Sequence, residues 1–176
     1  MPGSATPLYV VVMGVSGCGK STIGLALAQQ LGVPFIEGDS LHPPRNVAMM
    51  AAGTPLNDAD RADWLAAIAQ KLSQAAAAGQ GLVVSCSALK RRYRDVLRGG
   101  APDLRFVHLH GSLSVLRQRM NERRGHYMPP SLLDSQLATL EPPEPDEAAL
   151  TLDIDQPVER ITEAALRWLR ATPAHH

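Results

Sequence analysis

The chain switches repeatedly between short continuous apolar runs and longer stretches where apolar residues recur every three or four positions. Leu8-Tyr9-Val10-Val11-Val12-Met13 is an unbroken β-rich run, the pattern of a strand covered on both faces. Gly14 to Gly19 breaks it. Ile23, Leu27 and Leu31 then fall at four-residue steps, which predicts a helix over Ser21–Leu31 with Gly32 as its C-cap. Val33 to Glu37 reads as a second, short strand that ends at Gly38-Asp39. Residues 40–57 carry prolines, glycine and asparagine around a short apolar piece, Val47 to Ala52, and are assigned no helix or strand. Asp58 is the expected N-cap of a long helix that reaches about Ala78 and stops at Gly79-Gln80-Gly81.

The alternation continues to the end. Leu82 to Cys86 and Leu104 to Leu109 are the third and fourth predicted strands, separated by a basic helix over Leu89–Arg98 that Gly99-Gly100 ends. Ser112 caps a predicted helix from Leu113 to about Arg124, Gly125 to Pro130 is a loop, and Ser131 to Leu140 is a short helix. Residues 141–147, rich in proline and acid, form a loop before a fifth strand at Leu150–Ile154. In the last helix, Val158, Ile161, Ala165, Leu166 and Leu169 share one face. Strands alternating with helices predict an α/β fold: a five-stranded parallel sheet with right-handed crossovers.

Composition narrows the class. The 176 residues fit one domain, with a core over about residues 8–171. Seventeen basic and seventeen acidic side chains leave no net charge, which argues against a nucleic-acid binder. Two cysteines, Cys18 and Cys86, are too few for a disulfide framework and are expected as reduced thiols. The absence of a basic leader and of an apolar stretch near twenty residues predicts a cytoplasmic protein with no membrane association.

Gly14-Val15-Ser16-Gly17-Cys18-Gly19-Lys20-Ser21 fits the phosphate-loop pattern G-x-x-x-x-G-K-[ST], with an apolar strand before it and a helix after it. The glycines let successive N–H groups turn inward onto phosphate oxygens, and the helix adds its positive end. Lys20 is expected to bridge the β- and γ-phosphates of ATP, Ser21 to ligate Mg²⁺, and Thr22 to support the α-phosphate. The competing interpretation is a glycine-rich turn that carries Lys-Ser by chance.

Asp39 closes the second strand, so it lies on the sheet rim where ligands gather. A carboxylate there can take the proton of an attacking hydroxyl or aim it at the γ-phosphorus; it can equally be a turn residue. His42, Arg45 and Asn46 follow, able to donate to a carboxylate and hydroxyls or simply to be solvated. Arg119 and Arg123 share one face of a helix, and Arg117 and Arg124 another, ahead of a Gly125 hinge. That is the composition of a mobile lid over about residues 117–140 or of a basic solvated face. Ser87 and Lys90 follow the third strand and reach the same rim; Ser87 is also a candidate cap for the basic helix. Lys90, Arg91, Arg92 and Arg94 are read as mostly solvated charges, with Lys90 or Arg94 as further candidates to touch the acceptor.

Longer stretches carry a family likeness. Gly38-Asp39-Ser40-Leu41-His42-Pro43, Asn46, Gly53 to Arg61 and Trp64-Leu65 resemble the gluconokinase family. So do Cys86 to Lys90, Tyr93-Arg94-Asp95, Leu97-Arg98, Arg119 to Met128, and Asp153-Ile154-Asp155-Gln156-Pro157. The resemblance implies a nucleoside-monophosphate-kinase-like three-layer α/β/α fold with sheet order 2-3-1-4-5. It implies ATP and D-gluconate as substrates, 6-phospho-D-gluconate and ADP as products, and a homodimer. It casts Lys20, Asp39 and Arg123 as catalytic, and His42, Arg45, Arg61 and His126 as holding the acid. Gly14, Ser16, Gly17, Cys18, Gly19, Thr22, Arg119, Arg123, Gln156 and Pro157 fall on the nucleotide side. Two positions depart from it: Met49 stands where similar proteins often have lysine, and Asp63, read as a first-turn change, where proline is common. Shikimate or nucleoside-monophosphate kinases, or a nucleotide-binding module without catalysis, are the rival interpretations.

Overall fold

A computed structural model of the chain describes residues 7–15, 17–122 and 131–171. β1 (Tyr9–Met13) is buried along its whole length, as its unbroken apolar run requires, and lies in the middle of the sheet. The order is β2 (Phe35–Glu37), β3 (Leu82–Ser85), β1, β4 (Arg105–His110), β5 (Ala149–Asp153), with every pair parallel. Parallel neighbours need crossovers, and the helices provide them. α1 (Lys20–Leu31) packs with α7 (Val158–Ala171), and α3 (Asp58–Ala77) with α4 (Arg91–Gly100). The core sits between these layers around Val10 to Met13, Val83, Val84, Phe106 and Val107, all fully buried. Each such side chain contributes about 1.5–3 kcal/mol by leaving water.

Three local readings change. The stretch read without regular structure contains α2 (Pro44–Ala51), whose first residue is proline. Proline suits that position, because its fixed φ matches a helix and its missing N–H would have had no partner there. The cap of α3 is Asn57, not Asp58: Asn57 Oδ1 accepts from the Asp60 amide at 2.7 Å, and Asp60 Oδ2 from the Asn57 amide at 3.0 Å. Asp58 is thereby freed for ion pairs, and Asp63 falls in the second turn, exposed. α4 runs over Arg91–Gly100 rather than Leu89–Arg98, so the glycine pair forms the end of the helix instead of following it. As expected, Ser112 caps α5 (Leu113–Glu122), accepting from the Val115 amide at 3.3 Å. α6 (Ser131–Thr139) completes the described part of the predicted lid.

Candidate active site

Two adjoining cavities open at the carboxyl end of the sheet. The first is built mostly from backbone. Gly14, Gly17 and Gly19 have φ of 147°, 86° and 93°, a region that side-chain-bearing residues rarely enter. No side chain caps the start of α1, so its first amides face outward for an anion. Gly17, Cys18, Gly19, Thr22, Ile23, Arg119, Val158 and Ile161 line a cavity of about 210 Å³. Arg119 reaches it from α5 while donating to the Ile154 carbonyl at 2.7 Å. Ser16, Arg123 and His126 lie outside the described residues. Gln156 and Pro157 do not line the cavity; Gln156 donates to the Asp153 carbonyl at 2.6 Å, and the Pro157 carbonyl accepts from the first amides of α7. Val158 and Ile161, which the sequence offered only as core positions, supply the apolar wall instead.

The second cavity is built from side chains of five elements. Lys20, Asp39, His42, Met50, Leu56, Arg61, Trp64, Ser87 and Gln136 line it. Lys20, the first residue of α1, follows Gly19 of the first cavity directly, so the chain passes from one cavity to the other between these two residues. Its Nζ donates to the Val15 carbonyl at 3.1 Å. Asp39 is carried by a short 3-10 turn, Gly38–Leu41, pressed against β3. Gly38 is required there, because a Cβ would lie 1.9 Å from the Ser85 carbonyl. The Gly38 carbonyl in turn accepts from Trp64 Nε1 at 2.8 Å, which ties the turn to α3.

Arg61 is held from behind. It donates to the Tyr93 hydroxyl at 2.9 Å, and that hydroxyl donates to Asp58. Asp58 also accepts from Lys90 at 3.1 Å and Arg92 at 2.6 Å. The hydrogen bonds from Tyr93 and then Lys90 lower the Asp58 carboxyl to about 2, so it stays an anion. His42 stacks on Trp64 with ring centroids 4.0 Å apart. Burial, reinforced by the charge of Arg61, lowers its imidazole to about 4, so it is neutral near pH 7.

Several expected residues do other work. Arg45 is 67% exposed, makes a 3.7 Å ion pair with Asp60 and does not line the pocket. Ser87 does not cap α4, whose N-cap is Lys90; it lines the acceptor cavity, and its carbonyl accepts from the Gly14 amide at 3.3 Å. Arg94 is not solvated but fully buried. It clamps Glu147 at 2.6 and 3.0 Å and donates to the Ala88 and Glu141 carbonyls at 2.8 and 3.0 Å. Met49 is partly buried and packs against Met50 and Leu56, which line the pocket. Arg117 pairs with Asp134 across α5 and α6 at 3.1 Å.

Besides Val158 and Ile161, two polar participants were missed from sequence. Gln136 reaches the acceptor cavity from α6, and nothing near it in the chain marks it. Glu37, taken only as a strand end, accepts from the hydroxyls of Ser21 and Ser85. Its position at the carboxyl end of a parallel strand was the available signal. Ser21 and Glu37 together offer a hydroxyl and a carboxylate, a hard oxygen set that suits Mg²⁺ alongside phosphate oxygens. Among the described residues, no group of three or more His, Cys, Asp or Glu could hold a metal by itself. Both cysteines are free and buried, and burial pushes the Cys86 thiol up to about 12, so it is no nucleophile.

Comparison with known proteins agrees with this geometry. A family model described as an AAA domain matches residues 10–143. A gluconokinase of Gluconobacter oxydans is 48% identical over 94% of this chain and 93% of its own. The thermoresistant gluconokinase of Escherichia coli is 44% identical over 91% of this chain and 92% of its own. The crystal structure of a gluconokinase from Sinorhizobium meliloti superposes with a TM-score of 0.85 at 53% identity, covering 94% of this chain and 93% of that one. The sheet order, the phosphate loop facing an aspartate across one lysine, and likeness over nearly the full length all converge: the chain belongs to the gluconokinase family.

Proposed function

We propose that the chain transfers the γ-phosphoryl group of ATP to the terminal hydroxyl of D-gluconate, giving 6-phospho-D-gluconate and ADP. The observation that carries this reading is the phosphate loop passing from one cavity into the other: Gly19 lines the first, and Lys20, the next residue, lines the second beside Asp39. The loop amides and α1 hold the triphosphate, and the cavity edged by Arg119, Val158 and Ile161 takes the rest of the nucleotide. Asp39 accepts the hydroxyl proton as the new O–P bond forms and the bond to the departing ADP oxygen breaks. Lys20 leaves the Val15 carbonyl to follow the charge on the moving group. Arg61 holds the acid's carboxylate by charge-assisted hydrogen bonds. Ser21 and Glu37 would hold Mg²⁺, which when bound offsets charge on the β- and γ-oxygens. Arg123 and His126 would close over the acceptor with the lid.

The resemblance also supports a homodimer working in the cytoplasm. No helix among the described residues is long and apolar enough to cross a membrane. Asp39→Asn tests the reading. It should lower kcat by roughly 10²–10⁴-fold while leaving ATP affinity within about twofold. Turnover at the wild-type rate would remove Asp39 from the mechanism. Parallel assays of ADP release with gluconate, shikimate, glucose and nucleoside monophosphates fix the acceptor.

A further inference from the structure

Asn46 is fully buried on α2, and its side chain does not face the acceptor cavity. Its Nδ2 meets two groups at once: the Asp60 backbone carbonyl at 2.8 Å and Nδ1 of His42 at 3.2 Å. A carbonyl can only accept, so the Asp60 contact fixes which end of the amide is nitrogen. Turning the amide over would set Asn46 Oδ1 against the Asp60 oxygen and bury an unsatisfied NH₂ group. The second hydrogen of Nδ2 therefore points at His42 Nδ1, and that nitrogen must be the acceptor. A neutral imidazole that accepts at Nδ1 carries its proton at Nε2. Nε2 has no hydrogen-bond partner among the described residues, and the ring lines the acceptor cavity.

We propose that Asn46 is a positioning residue that locks His42 as its Nε2–H tautomer, so that His42 offers a neutral N–H donor to a hydroxyl oxygen of the polyhydroxy acid. This division of labour rests on the gluconate reading: Arg61 meets the carboxylate, and His42 selects for an alcohol. A protonated His42 would prefer a second anionic group, so keeping it neutral favours a polyol monoacid over a diacid or a phosphate ester. The charged groups lining the cavity with His42 are Lys20 from α1, Asp39 from the 3-10 turn and Arg61 from α3. On α2, Arg45 is turned to solvent and paired with Asp60. The Asn46 Oδ1 atom is buried without a hydrogen-bond partner among the described residues. Both donors of the amide are used while its oxygen is left without a partner, so it is the two donated bonds that hold Asn46 in place.

The tautomer can be read directly in the free enzyme. In ¹⁵N-histidine-labelled protein at pH 7, with the His42 signals assigned by their loss in His42→Gln, long-range ¹H–¹⁵N correlation should show Nε2 protonated and Nδ1 bare. A protonated Nδ1, or a His42 that titrates close to pH 6.5, overturns the proposal. This readout needs no acceptor, so its failure is distinct from failure of the gluconate assignment. Asn46→Asp should replace the donor at Nδ1 with an acceptor and move the proton. His42 then titrates within roughly pH 5–8, and kcat/KM for gluconate gains a pH dependence there that the wild type lacks. An unchanged pH profile and an unchanged tautomer in a folded Asn46→Asp variant would also overturn it. Where that variant does not fold, two replacements of His42 decide. His42→Gln places an amide N–H near Nε2 and should keep KM for gluconate within about threefold, whereas the shorter His42→Asn should raise it about tenfold or more. Equal losses in both count against the donor role.

Discussion

The two cavities adjoin where Gly19 gives way to Lys20, yet they are made in opposite ways. The nucleotide side is largely one contiguous stretch, Gly14 to Thr22, whose glycines set the backbone and whose donors are main-chain amides. The acceptor side gathers Lys20, Asp39, His42, Arg61, Ser87 and Gln136 from across the chain. Three of its working side chains lean on neighbours, of which Trp64 alone also reaches the cavity. Tyr93 and Asp58 stand behind Arg61, Asn46 stands behind His42, and Trp64 pins the turn that bears Asp39. A backbone cradle can serve any triphosphate. A cradle of side chains needs support, and in that support the choice of acceptor is stored.

Four measurements break or sharpen that contrast. The largest effect belongs to Arg94→Met. Arg94 stitches the Ser87-Ala88 loop of the acceptor side to the Glu141–Glu147 segment behind α6. Its loss leaves the Glu147 carboxylate buried without its main partner and should cost about 3–5 kcal/mol in chemical denaturation. Pairing it with Glu147→Leu should recover much of that, since no stranded charge remains. A loss under 1 kcal/mol would show that the acceptor side stands without this clamp. Next come Arg61→Met and Arg119→Met, one on each side. The first should raise KM for gluconate about 30-fold and leave KM for ATP unchanged, and the second should raise KM for ATP about tenfold and leave gluconate unchanged. Crossed effects would mean that the cavities do not divide the substrates.

Tyr93→Phe is a milder test, because only a hydroxyl that orients Arg61 is lost. KM for gluconate should rise about fivefold, with kcat nearly constant. The last test reads stability against pH. Burial lowers both His42 and His108 from 6.5 to about 4, so between those values the unfolded chain binds more protons than the folded one. The stability they give is complete above pH 6.5 and is lost as pH falls toward 4. Burial pushes the Glu147 carboxyl up, but hydrogen bonds from Arg94 and Arg98 outweigh it and hold it down to about 2, so a further loss follows below 4.5. Calorimetry at pH 7, 5 and 4 should show Tm falling at each step, and a Tm that rises toward pH 5 would contradict the sign.

Periodicity was enough for the five strands and most helices, because each buries a face whose spacing is written locally. It failed at α2, where Pro43-Pro44 looked like a breaker and in fact starts the helix. It failed at Arg94 too, because burial of an arginine depends on a glutamate 53 residues away. Ser87 was marked by its place just after the third strand, but Gln136 carries no local mark, since its role arises only where a helix and two loops converge.

By itself the sequence determined the parallel α/β order, the phosphate cradle, and Asp39 on the rim beside it. Those features depend on neighbours within a few residues, or on the rule that parallel strands gather ligands at their carboxyl ends. Only the tertiary structure decided that Arg61 and His42 enter the second cavity while Arg45 stays in solvent, and which nitrogen of His42 meets Asn46. Those choices turn on hydrogen bonds between groups far apart in the chain, and no local spacing records them.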